Sequence, residues 1–156
     1  MSFLSSMNIS ASALTAQRQR LDIISENVSN VDTTRTEAGG PYRRKMVVFE
    51  DKAGDVSFKD SLQNAVIQRD GNGRIVRRDY APGVRVSDII EDQSEFKTQY
   101  NPSHPDADEN GYVRLPNVDM LEETIDSMSA TRSYQANVTV LNAVKLMAQK
   151  ALEIGK

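Results

Sequence analysis

The chain has 156 residues, a net charge of −3 and a hydrophobic fraction of 38%, which is the size of one domain. It contains no cysteine, so a disulfide framework, a thiolate zinc site and a cysteine nucleophile are excluded. Its lysines and arginines form no stripe, and an acidic balance does not suit nucleic-acid binding, which requires concentrated positive charge. No apolar run approaches the roughly 20 residues that span a bilayer, so direct membrane insertion is not expected.

The N-terminal part of the chain is predicted to be one long helix. Neither Gly nor Pro interrupts residues 5–31, which would make a helix about 40 Å long. Large apolar residues recur along one side at helical spacing, and such a stripe has to be buried against another surface. The stripe consists of Met7, Leu14, Leu21, Ile24 and Val28.

The middle of the chain is predicted to contain short strands between two loops, at 32–41 and 101–117. The candidate strands are apolar runs or alternating segments, with the strongest hairpin signal at the Asp-Gly-Asn-Gly sequence of residues 70–73. The span 51–64 is ambiguous and could hold a short helix. The candidate strands lie at 46–49, 65–67, 74–76, 84–86 and 95–100.

A second long helix is predicted from about residue 118 to 154, with Asn117 as its N-cap. Acidic residues in its first turns complement the helix dipole. Its apolar stripe consists of Leu121, Ile125, Met128, Val138, Leu141, Val144 and Ala148. Gln17 and Gln135 fall on or near the two stripes, and buried polar residues of this kind specify helix register.

These patterns predict an α+β fold with long N- and C-terminal helices that pair as a coiled coil and with a small β-rich middle domain. The expected division is an N-terminal helix at 1–34, a loop and β-rich middle domain at 35–117, and a C-terminal helix at 118–156. Stripes that pair with each other, or with other copies, favour assembly over catalysis.

Two polar segments are candidates for chemical sites. Residues 106–111 resemble the start of a calcium loop, but the twelfth position is Asn117 where a bidentate Glu is needed. The only histidine, His104, lies between two prolines, and a loop residue with a local hydrogen bond is the simpler interpretation. The basic cluster at 43–45 has acidic neighbours, which favours salt bridges over nucleic-acid contacts. No metal, cofactor or catalytic residue is predicted.

Several motifs occur together in this chain. They are NVSNVDTT at 27–34, TTRTEAGGPYRRK at 33–45, NPSHPDAD at 101–108, GYV at 111–113, PNV at 116–118 and SYQANV at 133–138. The first resembles the N-terminal signature of bacterial flagellar axial proteins, and the longer continuation resembles the proximal rod protein C subfamily. The resemblance covers nearly the whole chain.

The resemblance implies a structural, non-enzymatic subunit of the flagellar rod, which crosses the periplasm and transmits torque. It implies self-association in a helical assembly, contacts with other rod subunits and a membrane-ring adaptor, and passage through the flagellar type III export apparatus without a cleaved signal peptide. No nucleic-acid partner is implied. The expected assembly interface comprises Leu14, Leu21, Ile24, Val28, Asn30, Leu121, Ile125, Met128, Tyr134, Asn137, Val138 and Leu141.

Within that interface, the first helical stripe is expected to meet the second, within or between subunits. Asn30 and Asn137 are expected to cap helices or to hydrogen-bond across them. Two other functions are compatible with the sequence: a cytoplasmic coiled-coil adaptor, and a calcium-dependent or hydrolytic domain that uses the 101–117 loop.

Overall fold

A computed structural model describes residues 3–52 and 83–154. Two long helices enclose four short strands along the chain, which confirms the predicted α+β class. The elements are α1 (Phe3–Ser29), β1 (Lys45–Asp51), β2 (Val84–Glu91), β3 (Lys97–Tyr100), β4 (Tyr112–Leu115) and α2 (Met120–Ile154). The predicted strands at 65–67 and 74–76, the turn at 70–73 and most of the ambiguous span 51–64 lie outside the described residues.

The first helix ends close to the predicted position because polar residues compete for its last backbone groups. The Asn30 N–H donates to the carbonyls of Glu26 and Asn27, and the Asn30 side-chain amide also donates to Glu26 O over 2.9 Å. The Thr33 N–H then donates to Asn30 O, which turns the chain away from the helix axis. The following loop returns toward α1, where Tyr42 becomes buried.

The strands β1 and β2 form an antiparallel ribbon that lies along α1. Lys45 pairs with Glu91 at one end and Asp51 pairs with Val84 at the other, and the register shifts between Val48 and Phe49. At the second end, the Ser12 hydroxyl accepts a hydrogen bond from the Val84 N–H over 3.1 Å. Gly83 approaches this hydroxyl so closely that a Cβ atom there would lie 2.6 Å from Ser12 Oγ, so only glycine fits without a shift.

The strands β3 and β4 form a second antiparallel pair, which corrects the prediction that all of 101–117 is loop. Tyr100 pairs with Tyr112, and their rings meet edge to face with centroids 5.3 Å apart. Gly111 turns into β4 with φ of +79°, a conformation that L-residues with side chains rarely adopt. Pro102 and Pro105 favour a loop in this segment. The sequence after Gly111 nevertheless alternates as a strand does, and Val113 faces inward with only 2% of its surface exposed.

The second helix begins one residue after Asp119, and Asp119 caps it. The Asp119 carboxylate accepts hydrogen bonds from the backbone N–H groups of Leu121 over 2.9 Å and Glu122 over 3.4 Å. The prediction of Asn117 as the cap is therefore wrong, since its side chain bonds elsewhere. Hydrogen bonds from the backbone N–H groups of Leu121 and Glu122, with a smaller contribution from Lys97, hold the pKa of Asp119 below its usual range.

The helices α1 and α2 pack against each other in opposite directions. Arg20 contacts Asp126 and Asn27 contacts Glu123, so residue numbers fall along α2 as they rise along α1. The helix α1 has 27 residues and α2 has 35, so α2 is the longer of the two. Neither is long and apolar enough to cross a membrane.

Candidate assembly interface

The face of α2 that contacts α1 is made of small and polar residues. Ala130 is 0% exposed and Ala16 on α1 is 3% exposed, and Ser10, Ser12 and Ile24 are also buried on α1. Glu123, Ala130, Asn137 and Val144 mark this face of α2 at seven-residue intervals. Small side chains such as those of Ala16 and Ala130 let the two helix axes approach closely, and Val144 is buried on the same face.

The opposite face of α2 exposes a stripe of large apolar side chains. Leu121 is 70% exposed, Ile125 is 53% exposed and Met128 is 50% exposed. Leu146 lies on the same side of the helix near its C-terminal end and is also exposed, although Arg132, Gln135 and Thr139 occupy this side between Met128 and Leu146. Scattered exposed apolar residues are ordinary, but Leu121, Ile125 and Met128 form a group on one helix face, and such a group marks an interaction surface. We call the residues Leu121, Ile125, Met128 and Leu146 the outer stripe.

The structure separates the predicted interface residues into two groups. Within the chain, Ile24 is buried, and a second set is half-buried: Leu14, Leu21, Val28, Val138 and Leu141. By contrast, Leu121, Ile125, Met128 and Tyr134 are exposed. The two predicted stripes therefore do not meet along their whole length within one chain.

The two asparagines of the predicted interface bond within their own segments. Asn30 donates to Glu26 O and accepts a hydrogen bond from the Thr33 hydroxyl over 3.1 Å. Asn137 donates to Ser133 O, one turn earlier in α2, over 2.9 Å. Asn30 thus terminates α1. Within the described residues, neither asparagine forms a hydrogen bond between α1 and α2.

The buried asparagine that does connect the two helices is Asn27, which is 1% exposed. Its side-chain N–H groups donate to Lys45 O over 2.9 Å and to Glu123 Oε2 over 3.2 Å. Its Oδ1 accepts from the Tyr42 hydroxyl and from the Lys45 N–H, both over 2.9 Å. Two donors and two acceptor positions are all that an amide side chain offers, so Asn27 is fully satisfied and joins α1, β1 and α2.

Glu123 is buried at 1% exposure and is neutralised by Arg44. Arg44 Nε donates to Glu123 Oε1 over 2.6 Å, and the same guanidinium lies 3.7 Å from Glu122 and 3.5 Å from Asp126. Burial of the guanidinium acts to lower its pKa, but the hydrogen bond to Glu123 and the three carboxylate charges outweigh it, so the pKa of Arg44 is raised. Arg44 therefore stays charged and gives the buried side chain of Glu123 a partner, without which its burial would be costly.

Tyr42 completes this cluster beneath the loop after α1. Burial, followed by the negative charges of Glu26, Glu123 and Glu91, raises its pKa to about 12. The phenol therefore remains a hydrogen-bond donor to Asn27 at neutral pH. We call Asn27, Tyr42, Arg44 and Glu123 the polar junction.

The residues beside the polar junction tie it to both strand pairs. The Asn117 side chain accepts from the Arg44 N–H over 2.8 Å and donates to Asp92 O over 3.1 Å and Ser94 Oγ over 2.8 Å. Arg43 also donates to Asp92 O over 3.0 Å, and its guanidinium lies 4.3 Å from the centre of the Phe96 ring. Lys45 pairs with Glu26 at 2.5 Å. The basic cluster is thus engaged by internal contacts.

The acidic residues of the segment that resembles the start of a calcium loop shape the connection between β3 and β4. Asp108 Oδ1 accepts from the N–H groups of Asn110 and Tyr112, both over 2.9 Å. Asp106 Oδ2 accepts from the Thr34 hydroxyl over 2.8 Å, and the Asp106 N–H donates to His104 Nδ1 over 3.1 Å. These bonds give both carboxylates and the histidine a local structural role.

The sequence interpretation missed all four residues of the polar junction as interface residues. One signal was available: Glu123 precedes Ala130, Asn137 and Val144 at seven-residue intervals, which places it on the same helix face. Asn27 also opens the motif at 27–34. The stripe predicted from apolar side chains instead combined exposed residues, such as Leu121 and Ile125, with Val144, which is buried.

Comparison with known proteins matches both ends of the chain to flagellar families. The family model described as "Flagella basal body rod protein" matches residues 7–35, which cover most of α1 and the turn after it. The model described as "Flagellar basal body rod FlgEFG protein C-terminal" matches residues 109–154, which cover β4 and α2. The two matches therefore contain Asn27 and Glu123, respectively.

Full-length relatives carry the name "Flagellar basal-body rod protein FlgC". The chain is 50% identical over 155 residues to the protein of Bacillus subtilis, with 97% of each chain covered. It is 42% identical over 163 residues to that of Borreliella burgdorferi, covering 99% of this chain and 98% of the relative. It is 41% identical over 156 residues to that of Salmonella typhimurium, with both chains fully covered.

Proposed function

Because this chain belongs to the FlgC family of flagellar basal-body rod proteins, we propose that it assembles through the outer stripe of α2. The chain is a structural subunit of the bacterial flagellar rod and not an enzyme. The comparisons lend no support to a cytoplasmic adaptor or a calcium-binding domain. What remains to be assigned is the surface through which one subunit joins the next.

The observation that carries the proposal is the exposure of Leu121, Ile125 and Met128 on a helix whose other face is already occupied by α1. Each of these side chains gains roughly 1.5–3 kcal/mol when it is fully buried. Within the described residues of one chain, they remain at least half exposed. Neighbouring subunits can bury them, and burial then contributes directly to the stability of the rod.

Contacts of this kind extend a rod when one surface of a subunit meets a different surface of the next. Such heterologous contacts build an open helical filament when the rotation between subunits does not close a ring. The helices α1 and α2 would form the axial core, at 1–34 and 118–156, and residues 35–117 would form the separate middle domain. In this arrangement Ile24, Leu14, Leu21, Val138 and Leu141 hold the helices of one subunit together, while the outer stripe and Tyr134 face other subunits.

The proposal extends to partners and to the route of export. Other rod subunits and a membrane-ring adaptor are the expected neighbours of a subunit in a rod that spans the periplasm. We infer passage through the flagellar type III export apparatus without cleavage. The support is that α1 supplies Ser12, Ala16 and Asn27 to the folded subunit, so removing this segment would remove the helix pair.

Electron microscopy of basal bodies tests the rod assignment and the surface separately. Cells that lack this chain should retain membrane rings and lose the rod and all distal structures. Complementation with Leu121→Glu or Ile125→Glu should fail to restore the rod, because a buried carboxylate without a partner opposes subunit contact. Thr131→Glu adds the same charge at an exposed position of α2 that is not part of the outer stripe, and it should restore assembly.

The possible outcomes distinguish an error in the rod assignment from an error in the proposed surface. Complete flagella in cells without the chain would contradict the rod assignment itself. Normal rods with both Leu121→Glu and Ile125→Glu would leave the rod assignment intact and overturn the proposed surface. Circular dichroism of each purified variant should match the original chain, since these side chains are exposed in the single subunit.

A further inference from the structure

The contact between α1 and α2 contains few features that fix how far one helix is shifted along the other. Ala16 on α1 and Ala130 on α2 are small side chains, and both are almost fully buried. The inner positions of α2 recur every seven residues. A shift by one such interval would again place small residues of α1 against inner positions of α2, so shape alone discriminates weakly between the two arrangements.

The polar contacts discriminate strongly between these arrangements. In the observed register, Asn27 meets Glu123 and Arg20 meets Asp126, the latter at 3.1 Å. A shift of seven residues along α2 would place Asn27 opposite Ala130 and Arg20 opposite Ser133. Asn27 would lose its bond to Glu123, and Glu123 would move away from Arg44. Buried polar and charged groups without partners oppose such a shift.

We propose that Asn27 and Glu123 are positioning residues that fix the register between α1 and α2. Their hydrogen bond selects one helix alignment, and the links from Asn27 to Lys45 and from Glu123 to Arg44 fix β1 relative to that alignment. A buried polar residue in an apolar helix contact has this effect in coiled coils, where it specifies register at a cost in stability. The proposal concerns the single subunit and does not depend on which surface forms the rod contacts.

The absence of cysteine makes a register measurement possible. Two pairs are introduced separately into the full chain: Ala16→Cys with Ala130→Cys for the observed register, and Ala16→Cys with Asn137→Cys for the shifted one. Ala16 and Ala130 lie at the same level, since each is four residues from the contacting residues Arg20 and Asp126. Intrachain disulfide formation is quantified at low protein concentration by mobility on non-reducing gels and by peptide mass spectrometry.

Each cysteine pair is then combined with Asn27→Leu and Glu123→Leu, which replace the polar contact by an apolar one of similar size. The matched control combines Asn142→Leu with Glu122→Leu, the same chemical changes at exposed positions of α2. With the polar contact intact, and in the control, the observed-register pair should cross-link at least about tenfold more than the shifted pair. With both leucines, the shifted pair should rise to a similar yield.

Three results would overturn the proposal. If only the observed-register pair cross-links when both leucines are present, another feature sets the register. If neither pair cross-links with both leucines, the polar contact holds the helices together and does not select their alignment. If the observed-register pair fails to cross-link in the chain with Asn27 and Glu123 intact, these residues do not fix the alignment in the free subunit.

Discussion

Asn27 and Glu123 are 96 residues apart in the sequence and share a buried hydrogen bond of 3.2 Å. Asn27 lies near the C-terminal end of α1 and Glu123 lies in the first turn of α2, so this bond joins the N-terminal helix to the C-terminal helix. Asn27 also bonds Lys45 at the start of β1. The position of the ribbon and the alignment of the helices are therefore set by the same pair of side chains.

Removal of the Glu123 carboxylate should destabilise the subunit severely. Glu123→Ala leaves Arg44 partly buried without its closest acceptor, and breaking a buried ion pair typically costs about 3–5 kcal/mol. Glu122→Ala is the matched control, because Glu122 is 67% exposed and lies 3.7 Å from the same guanidinium; its loss should cost at most about 1 kcal/mol. Urea unfolding of the two purified variants measures both changes, and equal effects would contradict this account of the polar junction.

The close approach of the two helices should make Ala130 intolerant of larger side chains. Ala130 is completely buried, and adding methylene groups to a well-packed contact typically costs about 1–3 kcal/mol. Ala136→Leu makes the same change at an exposed position of α2. Thermal unfolding should show a lower midpoint for Ala130→Leu and almost none of that change for Ala136→Leu. A similar midpoint for both variants would show that the helices do not meet closely at Ala130.

The sequence predicted both long helices, the α+β class and much of three strands. Helical periodicity and the absence of Gly and Pro identify α1 and α2 reliably, because these signals are local. The cap of α2 was misplaced by two residues, since both Asn117 and Asp119 are suitable caps and only tertiary contacts decide between them. Asn117 bonds Arg44, Asp92 and Ser94 instead.

The face of α2 that contacts α1 could not be identified from hydrophobicity alone. Leu121 and Glu123 are two residues apart, which places them on nearly opposite sides of the helix. A rule that buries leucine and exposes glutamate selects the wrong side for a single chain, because Arg44 neutralises Glu123 and comes from a distant segment. The proposed assembly would invert the usual pattern, since the apolar side chains that one subunit exposes would be covered by other subunits.

The capping carboxylate of Asp119 should make the stability of the folded chain depend on pH in the acidic range. The pKa of Asp119 is lowered in the folded chain, so its contribution is present above the unfolded pKa of about 3.9 and is lost as the pH falls through the folded value. Asp119→Asn retains an accepting oxygen but does not titrate. The original chain should unfold at a higher temperature than this variant at pH 7, and the difference should shrink below about pH 4. A difference in unfolding temperature that stays constant with pH would contradict the role of the Asp119 carboxylate as the cap of α2.

The phenol of Tyr42 should resist ionisation and link stability to pH in the alkaline range. Its pKa is raised from 10.0 to about 12, so the stabilisation is complete below pH 10 and is lost as the pH rises from 10 toward 12. Tyr42→Phe removes the hydrogen bond to Asn27 Oδ1, which should cost about 1 kcal/mol at neutral pH, and it removes the linkage. A phenolate absorbance titration of the original chain should therefore show a late step that is missing in Tyr42→Phe. Tyr100→Phe is the control, because Tyr100 is 64% exposed, and it should leave that late step in place. If the step lost in Tyr42→Phe is instead centred near about pH 10, Tyr42 is not held in the polar junction.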